Sequence, residues 1–317
     1  MLSHLYCNWI GELKTVVEQS IGFKSVDYAG IKVIDVNGAK YCYLESGTGP
    51  LVLLIHGYPD NAYSWEHQIR FLSEKGYRVV APFTRGYAPT MVHSHSFFDR
   101  ATLALDMVTL ADLLGDGQDA FLVGQDWGAA ISYGILGAFP DRFKRAMIMA
   151  VPHPLEINRT LKKSPKHCLR SFHWFLFQLP LLPEILLRVT KGGFLRFLWR
   201  LWSPDFKDFD HVNQVVESMR WGHSFEHTLA YYRAAIQKKY RDPNLAQIYE
   251  RLNAPISTPT KVLCGQNDMR KEMLPRAREF FTGEADYQWE LLPNSGHFLH
   301  REQPELVNQQ ILNWIKT

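Results

Sequence analysis

A mostly parallel α/β sheet of eight strands, with helices on both faces and a helical cap inserted late in the chain, is the fold this sequence predicts. Three observations carry it. Strand-like and helix-like segments alternate from about residue 32 to 150; the stretch from about 155 to 250 is helical and aromatic with no strand run; alternation then resumes at Thr260. Strands alternating with helices imply parallel pairing with both faces covered, and such sheets bind ligands beyond the C-terminal ends of their strands. The expected organisation is an N-terminal helix or arm over 1–28, core over 29–154, cap over 155–250 and the rest of the core over 251–317.

Each element has its own signal. In the arm, Leu13 to Gln19 permits a short helix, and two strand-like runs near 32–36 and 40–44 are joined by Asn37-Gly38, a hairpin dipeptide. Pro50 precedes Leu51-Val52-Leu53-Leu54-Ile55, the continuous apolar run of a buried central strand, which exits into His56-Gly57-Tyr58-Pro59-Asp60. A helix is expected over 62–75, a strand over 77–81, a loop at Arg85-Gly86-Tyr87 and a helix over 101–114. The next strand, 120–123, leads into Gly124-Gln125-Asp126-Trp127-Gly128 and a helix; one more strand, 145–150, closes the first half. Helical segments fill the cap. Strands over 261–264 and 287–292 and a last helix over 303–315 complete the core.

Composition bounds the function. The chain has 317 residues, 46% of them hydrophobic, which is enough for a large core. Cys7, Cys42, Cys168 and Cys264 are scattered without a paired motif, as expected of incidental thiols in a reducing compartment. The first residues lack a basic n-region and no run approaches 18 apolar residues, so no signal peptide and no transmembrane helix are expected, and a cytoplasmic location is. Net charge is only +3, but from Glu156 to Ser203 nine Lys/Arg oppose two Glu, a local net of +7. Interleaved with Phe and Trp, such a stretch is either the wet face of a helical module or an attractor for a membrane surface or an anionic amphiphile. No nucleic-acid reading motif accompanies it, so nucleic acid is not an expected partner.

The chemistry is carried by three residues that each sit just past a strand. Asp126 follows the apolar run ending at Val123, Asp268 follows Cys264-Gly265-Gln266-Asn267, and His297 follows Pro293-Asn294-Ser295-Gly296. The Gly-x-Asp-x-Gly layout is that of a nucleophile elbow, a sharp strand-to-helix turn that lifts one side chain above the sheet. A carboxylate there is already ionised at neutral pH and suits attack on an sp3 carbon, giving an alkyl-enzyme ester. His297 would deprotonate the water that hydrolyses the ester, and Asp268 would fix the imidazole. The backbone N–H groups of Tyr58 and Trp127 are the expected oxyanion donors. A departing oxygen needs a proton donor from the cap, for which Tyr232, His173 and Trp174 are the candidates.

With these residues in place, the sequence resembles the epoxide hydrolase family of the α/β-hydrolase superfamily, from about residue 28 to the C-terminus. The resemblance rests on His56-Gly57-Tyr58-Pro59, Arg85-Gly86-Tyr87, Gly124-Gln125-Asp126-Trp127-Gly128, Asp268 and His297. It implies an Asp126 nucleophile, a cis peptide at Pro59, addition of water to an apolar or amphipathic epoxide to give a vicinal diol, and neither metal nor organic cofactor. His56, Pro59 and Trp174 would border the substrate. The family's two cap tyrosines are represented by Tyr232 and, in place of the second, His173, whose ordinary pKa near 6.5 would make its protonation pH-sensitive. That departure, with Trp174 beside it, is similar to related dehalogenases, so carbon–halogen hydrolysis by the same aspartate is the alternative, with a catalytically idle binding protein as a third reading. The Phe83-Thr84-Arg85-Gly86-Tyr87-Ala88-Pro89-Thr90 stretch also departs from the family pattern, which implies an altered loop.

Overall fold

The computed structural model describes residues 30–93, 95–115, 119–283 and 287–317. The expected N-terminal helix or arm over 1–28, and Cys7 within it, lie outside the described residues.

Among the described residues nine strands form one sheet: β1 (Lys32–Val36), β2 (Ala39–Ser46), β3 (Leu51–Ile55), β4 (Arg78–Pro82), β5 (Met91–Val92), β6 (Ala120–Gln125), β7 (Arg145–Met149), β8 (Thr260–Gly265) and β9 (Tyr287–Leu292). Eight of them run in the order β1-β2-β4-β3-β6-β7-β8-β9. The ninth corrects the expected count: β5 is a two-residue strand pairing with β2, too short to leave a periodic signal in the sequence. Pairing is parallel from β4 through β3, β6, β7 and β8 to β9, and antiparallel only at β2. The central strands β3 and β6 are buried at every residue, which is why they read as unbroken apolar runs.

Three core helices cover the sheet in the first half, α1 (Glu66–Ser73), α2 (Arg100–Leu114) and α3 (Trp127–Ala138). Asp99 starts α2 by accepting the N–H groups of Ala101 and Thr102, a strong N-cap. Between β7 and β8 the described chain is helical: α4 (Pro154–Lys163), α5 (Pro165–Arg170), α6 (Phe172–Leu176), α7 (Leu182–Val189), α8 (Gly193–Trp202), α9 (Phe209–Met219), α10 (Ser224–Ile236) and α11 (Ala246–Arg251). The core closes with α12 (Leu299–Glu302) and α13 (Pro304–Lys316).

The cap is fastened to the core by polar contacts. The Trp199 indole donates to Pro59 O at 2.9 Å, Asn61 donates to the Ser218 hydroxyl at 2.9 Å, and Arg301 bonds Asp208 at 2.7 Å. Tyr231 donates to Arg85 O at 2.5 Å, while Arg85 itself is buried in a two-point ion pair with Asp106 at 2.6 and 2.9 Å. The Arg-Gly-Tyr turn is thus gripped from the core side and the cap side together. The loop that departs from the family pattern is well packed: Phe83 is fully buried, and the Thr90 hydroxyl donates to Phe83 O at 2.6 Å. No described helix is long and apolar enough to cross a membrane.

Candidate active site

Parallel register brings the predicted residues together. Ile55 pairs with Gly124 and Gln125 with Met149, so β3, β6 and β7 end at one level, and the loops after β8 and β9 arrive at the same edge. Asp126 caps β6 in a backbone conformation of φ 50°, ψ −112°. Such a conformation costs a non-glycine residue roughly 1–3 kcal/mol and persists only where the surroundings enforce it. Here the Asp126 N–H donates to Met149 O at 3.3 Å, and its carbonyl accepts Ala130 N–H at 3.0 Å. Close approach is the other requirement. A Cβ on Gly128 would lie 2.0 Å from Ile55 O, and one on Gly57 would lie 2.4 Å from the Asp126 Cβ.

The two oxygens of Asp126 have different partners. Oδ1 accepts the Tyr58 N–H at 2.9 Å; Oδ2 is 3.1 Å from His297 Nε2. On its far side, His297 Nδ1 lies 2.7 Å from Asp268 Oδ2, and Asp268 Oδ1 accepts the Arg270 N–H at 2.7 Å. Trp127, the second expected oxyanion donor, is the first residue of α3, so its N–H has no acceptor in the helix ladder. The peptide bond between Tyr58 and Pro59 is cis.

The charges are interdependent. Burial alone would raise the Asp126 carboxyl, but the hydrogen bond and charge of His297, then Arg270 and the Tyr58 N–H, outweigh it and hold the pKa below its ordinary value. Asp268 is depressed in the same way, burial again being overcome by His297. For His297 burial pulls downward, yet the two flanking carboxylates win and raise its pKa.

Several residues that sequence reasoning did not reach hold the His297 loop. Gln125 donates to His297 O at 3.1 Å, and the His297 N–H meets the Ser203 hydroxyl at 3.0 Å. Ser203, at the end of α8, donates to Glu302 at 2.7 Å, and Glu302 accepts the N–H groups of Gly296 and Phe298. The cap therefore reaches under the catalytic edge as well as over it. Arg270, two residues past Asp268, borders a cavity above Asp126 and sits 3.4 Å from His297 Nδ1; only its place at a strand end could have marked it.

Above Asp126 lies a cavity of about 650 Å³, a size suited to small organic ligands. Trp127, Trp174 and Tyr232 line it beside Asp126. Trp127 and Trp174 stack at 5.7 Å, and Tyr232 meets both edge-on at 5.1 and 5.2 Å. Burial raises the Tyr232 hydroxyl well above its ordinary value, so it stays a phenol. A phenol in this position keeps a proton that it can donate to a ligand oxygen.

His173 is placed differently from the sequence expectation. It packs against Trp202 at 4.9 Å, Tyr232 at 5.8 Å and Phe177 at 5.9 Å, and is not among the lining residues of this cavity. Its Nδ1 is buried without a hydrogen-bond partner. Burial drives its pKa down to about 3, which corrects the expected pH-sensitive protonation: the ring is neutral throughout the physiological range. His56 and Pro59 also stand behind the cavity wall. Burial lowers His56 to about 4, and the neutral ring accepts Thr84 N–H at 3.1 Å while its Nδ1 lies 3.0 Å from Gly57 O. It braces the loop that carries the Tyr58 N–H.

The cationic stretch of the cap is partly neutralised from outside itself. Arg159 pairs with Glu279, Arg188 with Glu226 and Arg196 with Glu217. Of its nine cations only Lys162 lines the cavity; Arg100, Arg241 and Arg270, from outside the stretch, line it too.

Comparison with known proteins agrees with this architecture. The family described as alpha/beta hydrolase fold matches residues 50–304. Epoxide hydrolase 3 of Xenopus tropicalis is 28% identical over 301 residues, covering 88% of this chain and 76% of the relative. An epoxide hydrolase of Caballeronia sordidicola is 28% identical over 324 residues, covering 91% and 94%. Among solved structures, an epoxide hydrolase from Vigna radiata superposes with a TM-score of 0.73 at 26% identity, covering 92% of this chain and 99% of the other. The chain belongs to the α/β-hydrolase superfamily and, within it, to the epoxide hydrolase family.

Proposed function

We propose that this α/β-hydrolase-fold enzyme adds water to an epoxide through a covalent ester on Asp126. The observation that carries the reading is the asymmetry of the Asp126 carboxylate in a cavity shared with a buried tyrosine that keeps its proton. Oδ2 attacks an epoxide carbon, the carbon–oxygen bond breaks, and the departing alkoxide takes the Tyr232 proton. Oδ1 becomes the ester carbonyl oxygen, already at the Tyr58 N–H. His297 then takes a proton from water, whose oxygen attacks the Asp126 carboxyl carbon. The N–H groups of Tyr58 and Trp127 stabilise the resulting oxyanion, each donor contributing about 3 kcal/mol. Collapse releases the diol and restores the carboxylate; the proton taken by His297 replaces the one Tyr232 gave up.

Ester formation also prepares its own hydrolysis. It removes the negative charge and the hydrogen bond that Asp126 supplies to His297, so the imidazole becomes easier to hold neutral when it must act as a base.

The dehalogenase alternative is less well supported. A departing halide is a weak base and needs no proton, whereas an epoxide oxygen does, and the protonated phenol of Tyr232 lines the cavity with Asp126. The test is intact mass of a His297→Gln variant incubated with a panel of epoxides: a persistent adduct on Asp126 is expected. Halide release without any diol, or no adduct across the panel, would sink the proposal.

A further inference from the structure

The walls of the cavity are unequally charged. Arg100, Arg241, Lys162 and Arg270 line it, whereas among the described residues the only acidic one lining it is Asp126. None of the four cations has a described carboxylate within ion-pair distance. Arg100 and Arg241 stand together around Tyr249, the Arg241 guanidinium 4.1 Å over its ring.

Both guanidiniums are anchored and both keep an edge unused. Arg241 donates Nε to Ala234 O and Nη2 to Ala235 O, at 2.8 and 2.9 Å, so Nη1 is left over. Arg100 bonds Leu252 O and Asn253 through Nη1 and Nη2, while its Nε is buried without a partner. The neighbouring Asp99 is spent on the N–H groups of Ala101, Thr102 and Asp242 and on the Thr102 hydroxyl. Two adjacent, fixed guanidiniums without a counter-ion repel each other, and Arg241 together with burial lowers Arg100 to about 10. An anion placed between them relieves both costs, and planar guanidinium edges suit a carboxylate.

The spacing to the reacting carboxylate follows from α3. Arg100 Nη2 lies 3.5 Å from where a Cβ on Gly134 would stand, and Ala130, one turn back toward Asp126, lines the cavity. Eight residues of helix separate Asp126 from Gly134, a rise of roughly 12 Å. An extended chain covers that distance in about ten single bonds.

We propose that Arg100 and Arg241 form a carboxylate-binding subsite, which selects epoxides carrying an acid group at the far end of an extended apolar chain. The subsite rests on the epoxide reading above for its reaction, but not for its binding. The test compares a straight-chain epoxy acid, its ring about ten bonds from the carboxylate, with its methyl ester, in the full chain and in Arg241→Gln and Arg241→Lys. The acid should be favoured roughly ten- to hundredfold in kcat/KM by the unaltered protein. The ratio should fall toward one in Arg241→Gln and be partly kept in Arg241→Lys. Equal turnover of acid and ester, or a ratio unmoved by Arg241→Gln, overturns the subsite while leaving epoxide hydrolysis standing. A parallel calorimetric titration with dodecanoate separates the two failures. If neither epoxide reacts, the reaction is misread, and the subsite stands only if dodecanoate binds with an affinity that drops at least about tenfold in Arg241→Gln.

Discussion

Two histidines that meet the Trp202 ring edge-on, His297 at 5.2 Å and His173 at 4.9 Å, have pKa values driven in opposite directions. His297 is wedged between two carboxylates and is raised; His173 is buried among aromatic rings and falls to about 3. Both are fully buried, so depth alone does not decide the outcome. The strand-end side of the cavity is built to move a proton, and this part of the cap side is built to hold a shape. Tyr232 sits between these roles, packed like its aromatic neighbours but with a hydroxyl that keeps its proton.

The contrast can be broken most forcefully at its charged side. Replacing Asp268 by Asn leaves a neutral partner that stabilises the wrong imidazole tautomer, and turnover should drop about 10⁴-fold, read as kcat with any epoxide substrate. A loss below tenfold would mean that His297 is not oriented by Asp268. Tyr232→Phe should cost about 10² to 10³-fold in the ester-forming half-reaction measured by rapid mixing, with ester breakdown little changed. A slowed breakdown step would instead assign Tyr232 to the second half.

The smallest effect belongs to His173. His173→Phe should change kcat less than about tenfold and leave the pH profile between 5 and 8 unmoved, because the ring neither gains nor loses a proton there. Its pH signature lies in stability. Unfolding returns His173 to a pKa near 6.5, so the unfolded state binds the extra proton and stability is lost as pH falls below that value, at ~1.4 kcal/mol per pH unit. Denaturant unfolding at pH 6.5 and 4.5 should therefore show the variant gaining on the parent by on the order of 2 kcal/mol. His297 has the opposite sign: its contribution is present below its unfolded pKa and is lost as pH rises through the raised folded value. If the two variants compared over pH show the same slope, the contrast is wrong.

Much of the core was legible in advance because its signals are local. Unbroken apolar runs marked β3 and β6, and Asp126, Asp268 and His297 each follow a strand directly. Strand ends in a parallel sheet share an edge, so sequence order was enough to gather them. The cap gave up less. Tyr231 and Tyr232 are adjacent and equally aromatic, and only the fold shows that one bonds Arg85 O while the other lines the cavity. The cationic run in the cap pointed to an anionic ligand, but charges are paired in space: Glu226 and Glu279 neutralise part of that run, while Arg100 and Arg241, quiet in the sequence, face the cavity without a counter-ion. Ser203 and Glu302 were invisible because each acts through backbone N–H groups of a distant segment.

The tethering of one Asp126 oxygen by the Tyr58 N–H has a consequence for the identity of the protein itself. On the proposed route the oxygen facing His297 leaves inside each diol, and an oxygen from water takes its seat, while the tethered one stays behind. The enzyme is then never quite the same molecule twice. One atom of its side chain is a consumable, renewed from solvent at every turnover, and the other is a permanent fixture of the fold.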